Sequence, residues 1–513
     1  MATPADKLTA SLAALKELQD AGRVALRASD MTRTHRERLV KAGFIKKVMK
    51  GWYIPCRPDE PAGESTSWYA SFWAFCSSYL DSRFDEDWCV SPEQSISLHT
   101  GNWTVPRQLL VRSPRGNNKP TEFIHGTSIF DVRLDLPPAT DREVKDGVRV
   151  YKLPAALLSC SQAQFAARPT EMRAALAMVK DASDLLSRLL DGGRSTVAGR
   201  LAAAFRNIGR DRMTNDIVGA MRAAGYTVTE SDPFEDHSLV AFGARETSPY
   251  VNRMRLDWAR MREDVRSVFP AAPGRPKNAA AAYLKQVEEI YVNDAYNSLS
   301  IEGYKVNAAL IEKVRTGNWN PDTNKDDQEH RNALAARGYW QAFQAVEKSI
   351  KKVLGGENAG PVADRDHATW YRELFGPSVT TGILRAADLA GYRNAPVYIR
   401  RSMHTPPNIE AVRELMPALF DLLEHEEEAS VRVVLGHFMF VYIHPYMDGN
   451  GRMGRFLMNL MFASGGYSWT IVPLERRADY MAALENASVG GAIKSFAKFL
   501  AELTKGDARK GKA

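Results

Sequence analysis

Cysteine is scarce: four in 513 residues. Cys56, Cys76, Cys89 and Cys160 show no metal-ligand spacing, which argues against a disulfide scaffold or a thiolate zinc centre and suits a reducing cytosol. Long apolar runs are missing too. None approaches the roughly 18 residues of a membrane span, and Met1 to Leu12 holds no apolar core of signal-peptide length. The expectation is a cytoplasmic protein with no membrane partner. No internal repeat is visible, and no low-complexity tract apart from a short basic tail after Lys505. Neither sign of charge dominates, since 68 Lys+Arg against 61 Asp+Glu leaves +7, so only local clustering can matter. What remains is a globular composition, 44% hydrophobic and 25% charged, with length for about two to four domains.

The densest chemistry lies in His444-Pro445-Tyr446-Met447-Asp448-Gly449-Asn450-Gly451-Arg452-Met453-Gly454-Arg455. Before it, Val431, Val434, Leu435, Phe438, Val441 and Tyr442 recur at helical spacing, which predicts a buried helix. Pro445 ends that helix, because the residue before a proline is pushed out of the α region, and leaves His444 at its end. Gly449 and Gly451 permit positive φ, and successive N–H groups in such a turn form an anion-binding concavity. A second apolar helix begins near Arg452, and its N-terminus favours phosphate. Arg452 and Arg455, three apart, share a face of its first turn. The helix dipole disfavours cations there, so two arginines imply a multiply charged anion. Asp448 beside a phosphate cradle is suited to Mg²⁺ shared with water and phosphate oxygens. His444 can act as a general base near neutral pH. The set points to phosphoryl or nucleotidyl transfer.

The order His-Pro-aromatic-x-Asp-Gly-Asn-Gly-Arg-x-x-Arg resembles the signature of the Fic (Fic/DOC) family, with Tyr446 where phenylalanine is common. The resemblance implies transfer of AMP from ATP, with Mg²⁺, to a Ser, Thr or Tyr hydroxyl of a target protein or of the chain itself. It implies that Gly449, Asn450, Gly451, Arg452 and Arg455 hold the phosphates, that Asp448 holds the metal and that His444 is the base. Upstream, Ser298-Leu299-Ser300-Ile301-Glu302-Gly303 is similar to the Ser/Thr-x-x-x-Glu-Gly/Asn motif of self-restrained members. Ser298 and Glu302 are four apart, so one helix face presents both. A Glu302–Arg455 pair would occupy the guanidinium that the γ-phosphate needs. By the same resemblance, Val397, Tyr398, Ile399 and Arg400 form part of a flap hairpin that holds the target by strand addition, although relatives often carry glycine where Arg400 stands. Tyr480 and Met481 fall where relatives contact the base and ribose. For Met481, core packing is an equal reading.

The first 60 residues read differently. Leu8, Leu12, Leu15 and Leu18 predict a helix ended by Gly22. Ser29 or Asp30 caps a second, Met31 to Ala42, ended by Gly43. Phe44 to Ile54 reads as a hairpin turning near Lys50-Gly51. This order looks like a winged helix-turn-helix. Arg33, Thr34, Arg36, Arg38 and Lys41 on the second helix, with Lys46, Lys47 and Lys50 on the wing, would face the phosphates of double-stranded DNA.

Pro55 to Ser67 reads as a linker. Beyond it lie an aromatic helix (Trp68, Tyr69, Phe72, Trp73, Phe75), short strands such as 108–111 and 128–132, and helices from about 170 to 225. This part resembles antitoxin-type regulators of abortive-infection systems, and no chemistry is assigned to it. The expected fold is therefore mostly α. It comprises a winged helix-turn-helix (1–60), an α+β region (61–235) and a Fic-type helical domain (240–505) with a β-hairpin flap and an inhibitory helix near 290–303. Helices are expected from about Ala279 to Leu299, Asn307 to Arg315 and Asp326 to Ile350, with a break at Pro270 to Pro276. Other readings stay open: a different nucleotide, removal of AMP, or a DNA-binding regulator whose Fic half senses nucleotide. A homodimer is open as well.

Overall fold

The computed structural model describes residues 3–61, 63–238, 240, 248–274, 280–317 and 331–510, with the side chains of 506–510 excepted. They form two compact units. One takes Met1–Arg253 with Tyr398–Thr405, the other Met254–Val397 with Pro406–Ala513. Among the described residues, no helix is long and apolar enough to cross a membrane.

The first unit begins with helix α1 (Pro4–Asp20), strand β1 (Leu26–Arg27), helix α2 (Arg33–Lys41) and strands β2 (Ile45–Met49) and β3 (Trp52–Pro55). The strands form an antiparallel sheet ordered β1-β3-β2. Thr32 caps α2 by accepting from the His35 N–H, later in the chain than the expected Ser29 or Asp30. Asp30 instead accepts from the Arg27 N–H at 2.7 Å. Gly51, at φ +83°, turns the β2–β3 hairpin. Leu15, Leu26, Met31, Leu39 and Ile45 form a small core.

The stretch expected as a linker is pinned. Glu60 pairs with Lys46 at 3.2 Å and accepts from Ser67 Oγ at 2.9 Å. Ala25, Val48 and Ile54 share one apolar cluster with Trp68, Phe72 and Phe75 of helix α3 (Thr66–Phe84). Position 60 is therefore interior to a single packed unit. Beyond α3, the expected strands appear as β5 (Gln108–Ser113) and β7 (Ser128–Arg133). They run parallel, in a sheet ordered β4-β5-β7-β6 with β4 (Cys89–Val90) and β6 (Pro120–Glu122). Helices between Leu153 and Ala223 pack around Leu176, Leu201, Phe205 and Met221.

The second unit is helical. Helix α4 (Ala280–Ile301) is followed by α5 (Arg331–Leu354), α6 (Ala359–Thr380), α7 (Ala429–Ile443) and α8 (Asn450–Gly465). The expected helix starts at Ala279 and Asp326, and Arg275 and Pro276 of the expected break, lie outside the described residues. Helix α8 is the centre of this unit, buried from Arg452 to Gly465. Such a helix is apolar all round except for groups with a specific role, and Arg452, Arg455 and Asn459 are those groups.

Residues 391–405 contain no strand, so the expected flap hairpin is not formed as a ladder. Pro396 lacks the N–H that a ladder needs. Helices α5 and α6 meet closely because position 338 is glycine: a Cβ there would stand 2.0 Å from the Leu374 carbonyl oxygen. Gly338→Ala is expected to cost about 1–3 kcal/mol, the usual penalty for overpacking. Chemical denaturation with an unchanged midpoint would contradict this close approach.

Candidate functional site

Helix α7 ends at His444, which takes a left-handed conformation (φ +54°, ψ +60°). Histidine tolerates that region better than branched residues do. Its Nδ1 lies 3.1 Å from the Val441 carbonyl oxygen. A carbonyl only accepts, so Nδ1 carries the hydrogen and Nε2 keeps its lone pair. Burial pushes the imidazole down to about 4. The Val441 carbonyl opposes this shift, the Arg393 charge adds to it, and Glu302 and Asp448 oppose it. The ring is therefore neutral at physiological pH.

The turn after His444 is closed by Asn450. Its Oδ1 accepts from the Tyr446 N–H at 2.9 Å and its Nδ2 donates to the Tyr446 carbonyl at 2.8 Å. The Asn450 side chain thus holds the loop, and its backbone N–H stays at the helix start. Gly449 has φ +80° as expected and precedes α8 without a side-chain cap, so first-turn N–H groups remain for an anion. Gly451 differs from expectation. It lies inside the helix with ordinary φ, and its need for glycine is space: a Cβ there would lie 2.3 Å from Glu302 Oε1 and 3.3 Å from Arg455 Nη1.

Arg452 and Arg455 are both buried, 1% and 5% exposed, yet they point to different neighbours. Arg452 lies over the rings of Tyr304 and Phe375 at 5.2 and 5.0 Å, and 3.6 Å from Asp448 Oδ1. Arg455 donates from Nε to Ser298 Oγ at 2.9 Å, and from Nη2 to the Ser298 carbonyl at 3.0 Å and Glu302 Oε1 at 2.7 Å. Burial works against charge on Arg455, but Glu302 outweighs it and the guanidinium is held more firmly charged than usual. Burial likewise opposes charge on Glu302. Arg455, then Arg452, overcome it and keep its carboxyl below the usual range. Among the described residues, Arg452 Nε and Arg455 Nη1 are buried with no hydrogen-bond partner. Buried guanidinium N–H groups left open cost free energy, so a site that keeps two is shaped for an acceptor it does not itself supply.

Helix α4 delivers Ser298 and Glu302, and it is fixed from several sides. Arg477 Nε donates to the Ile301 carbonyl at 2.8 Å, and Asn297 Oδ1 accepts from the Leu474 N–H at 2.8 Å. One turn before Ser298, Asp294 accepts from Tyr339 Oη at 2.6 Å and Trp469 Nε1 at 3.0 Å. Sequence reasoning missed this anchor, because an aspartate in mid-helix looks like any solvated one.

Asp448 stands at the mouth of the loop, its side chain 65% exposed. One open carboxylate beside helix N–H groups and arginines fits Mg²⁺ held mainly by water and phosphate oxygens. Among the described residues no cluster of three or more His, Cys, Asp or Glu could hold a metal alone. Tyr480 is 2% exposed, its hydroxyl lies 2.8 Å from His437 Nε2, and it is buried close enough to Arg455 and Glu302 to feel both charges. Met481 next to it is half-buried. Val397 falls in the second unit, and Tyr398, Ile399 and Arg400 in the first, where Arg400 and Arg401 approach the buried Glu64 carboxylate at 3.2 and 3.3 Å.

Much of the basic set in the first segment is engaged within its own unit. Arg33 pairs with Glu37 at 2.6 Å. Arg36 donates to the Ala28 carbonyl, Arg38 to the Lys7 carbonyl and Ser11, and Lys46 to the Glu64 carbonyl. Thr34, Lys41, Lys47 and Lys50 are exposed.

Residues 367–462 match the family described as Fic/DOC. The chain is 28% identical over 230 residues to "Protein adenylyltransferase Fic" of Drosophila willistoni, covering 44% of this chain and 42% of that protein. It is 24% identical over 299 residues to "Protein adenylyltransferase fic-1" of Caenorhabditis elegans, covering 56% and 53%. Among solved structures it is similar to Fic-1 (aa134–508) from C. elegans, with a TM-score of 0.38, 16% identity, and coverage of 66% of this chain and 86% of that one. The chain spans about half the length of the curated relatives it matches.

Burial raises the Asp294 carboxyl to about 6, against the pull of its Tyr339 and Trp469 hydrogen bonds. The folded chain keeps this proton where the unfolded chain has released it, so its contribution to stability falls as pH rises from about 3.9 to about 6. Melting temperature against pH is expected to lose that component in Asp294→Asn. Identical slopes for the two proteins across this window would contradict it.

Proposed function

We propose that the chain is a protein adenylyltransferase that moves AMP from ATP to a Ser, Thr or Tyr hydroxyl of a protein, and that Glu302 restrains it. The observation that carries this reading is the pair of buried guanidiniums with open N–H groups, Arg452 and Arg455, at the uncapped start of α8. The names of the relatives agree with it. The triphosphate lies along the first turn of α8, with Arg452 and Arg455 on the β- and γ-phosphates. Asp448 would hold Mg²⁺, which, when bound, neutralises charge on the departing pyrophosphate. His444 Nε2 takes the proton of the attacking hydroxyl. A new O–P bond forms at the α-phosphorus while the bond to the bridging oxygen breaks, and pyrophosphate leaves. Positioning and charge stabilisation supply most of the rate.

The restraint follows from chemistry at one guanidinium. While Nη2 of Arg455 bonds Glu302 at 2.7 Å, the γ-phosphate lacks that donor. Glu302 Oε1 also covers the space above Gly451, where phosphate oxygens must approach the helix N–H groups. The Glu302 side chain keeps 29% of its surface open while Arg455 keeps 6%, so the carboxylate is the partner that can leave for water.

His444→Ala is expected to abolish label transfer from α-labelled ATP onto protein. Labelling at the parent rate would remove the general-base role. The acid limb of kcat/KM, which reports the free enzyme, is expected near the imidazole value of about 4. A limb centred at the ordinary histidine value of ~6.5 would contradict the burial of this ring.

A further inference from the structure

Arg393 is a buried arginine, 2% exposed, and among the described residues its guanidinium meets no carboxylate. Its Nε donates to the His444 carbonyl at 2.9 Å, its Nη2 to the Pro407 carbonyl, and its Nη1 reaches the Ala395 carbonyl at 3.4 Å. Its own backbone N–H donates to the Pro445 carbonyl at 2.8 Å. A buried cation satisfied only by carbonyl dipoles is an expensive way to fill a core. Well-packed apolar side chains would do that more cheaply, so the charge and the fork geometry call for a different explanation.

We propose that Arg393 is the positioning residue of the transfer site: its guanidinium holds the His444 carbonyl in the left-handed turn and ties it to both ends of the 394–406 segment, thereby fixing the base nitrogen. The proposal rests on the adenylyl-transfer reading for its kinetic consequence, and on geometry alone for its structural one.

Three features of the chain support it. His444 leaves α7 with φ +54°, which turns its carbonyl away from the helix axis, and Arg393 supplies the donor for that carbonyl. The neighbouring Pro445 carbonyl is held by the same residue's main chain, so two successive peptide groups of the catalytic turn are clamped from one position. The Pro407 carbonyl marks where the chain re-enters the second unit after residues 398–405, so a single planar fork joins the segment's two roots. Lysine cannot reproduce this, because an ammonium lacks the rigid fork. Burial lowers the guanidinium to about 10, so it stays charged at neutral pH and works against a second positive charge on the imidazole.

With the carbonyl released, the His444 backbone can relax. The Nδ1–H bond to Val441 then no longer selects one tautomer, and Nε2 is no longer reliably the free base. A misplacement of about 1 Å at a reacting group costs on the order of 100-fold in rate. Nucleotide affinity should change little, because the hydrogen bonds of Arg393 go to His444, Pro445, Pro407 and Ala395 and not to Arg452, Arg455 or the first turn of α8.

The test uses the full chain carrying Glu302→Gly, with Arg393→Met and Arg393→Lys. ¹⁵N-histidine spectra, with His444→Gln to assign the signal, read the His444 tautomer without requiring any reaction. Kinetics of AMP transfer give kcat and KM for ATP, and thermal melting checks folding. We expect a single Nδ1–H tautomer in the parent, a mixture in Arg393→Met, a kcat lower by on the order of 100-fold and a KM for ATP within about twofold of the parent. Arg393→Lys should fall between, and it decides the matter if the methionine variant does not fold. An unchanged His444 tautomer signal in a folded variant would overturn the proposal, as would a loss carried by KM instead of kcat. If the parent transfers no AMP at all, the adenylyl-transfer reading fails, and the tautomer signal still decides the role of Arg393.

Discussion

The candidate site in the second unit turns on an ion pair made near the start of a buried helix. Arg455 is fixed by α8, Glu302 by the end of α4, and the two meet at 2.7 Å. A buried guanidinium must keep an anionic or polar partner, because stranding it costs several kcal/mol. The carboxylate supplies that partner while no phosphate is present. A triphosphate would supply a better one, with more oxygens and more charge. Each ligand of Arg455 therefore excludes the other, and in the proposed reading the same contact serves both fold stability and control of the reaction.

The surroundings of that pair are arranged so that only one side can yield. Arg455 is bound along Ser298 by two further hydrogen bonds and lies within a helix that is buried over most of its length. Glu302 sits just beyond the end of its helix, next to Gly303 at φ +88°. A side chain just past the last helical residue can swing with little loss of packing, whereas a residue inside α8 cannot. Asp294, Asn297 and Ile301 hold the preceding turns of α4 to Tyr339, Trp469, Leu474 and Arg477. The geometry favours a local release of one carboxylate over departure of the whole helix.

Much of this was legible in the residues. The spacing of His444, Asp448, Gly449, Arg452 and Arg455 identified a helix end, a turn and a helix start, and Ser298 and Glu302 pointed to an acidic group opposite the arginines. What stayed hidden was set by tertiary packing. Asn450 staples the loop to Tyr446, four residues back, Gly451 makes room for the Glu302 carboxylate, and the Tyr480 hydroxyl meets His437. The last two contacts join residues far apart in the chain, which no local pattern records. Arg393 and Asp294 gave no signal at all, since a lone charged residue in a loop or helix is ordinarily solvated. The expected flap strand is missing a ladder donor at Pro396, as the sequence already shows.

The most direct measurement is the intact mass of the full-length chain after incubation with ATP and Mg²⁺, made in parallel on the parent and on Glu302→Gly. The account predicts an added AMP on the variant and little or none on the parent. Equal modification of the two proteins, or an added mass that is not AMP, would contradict it.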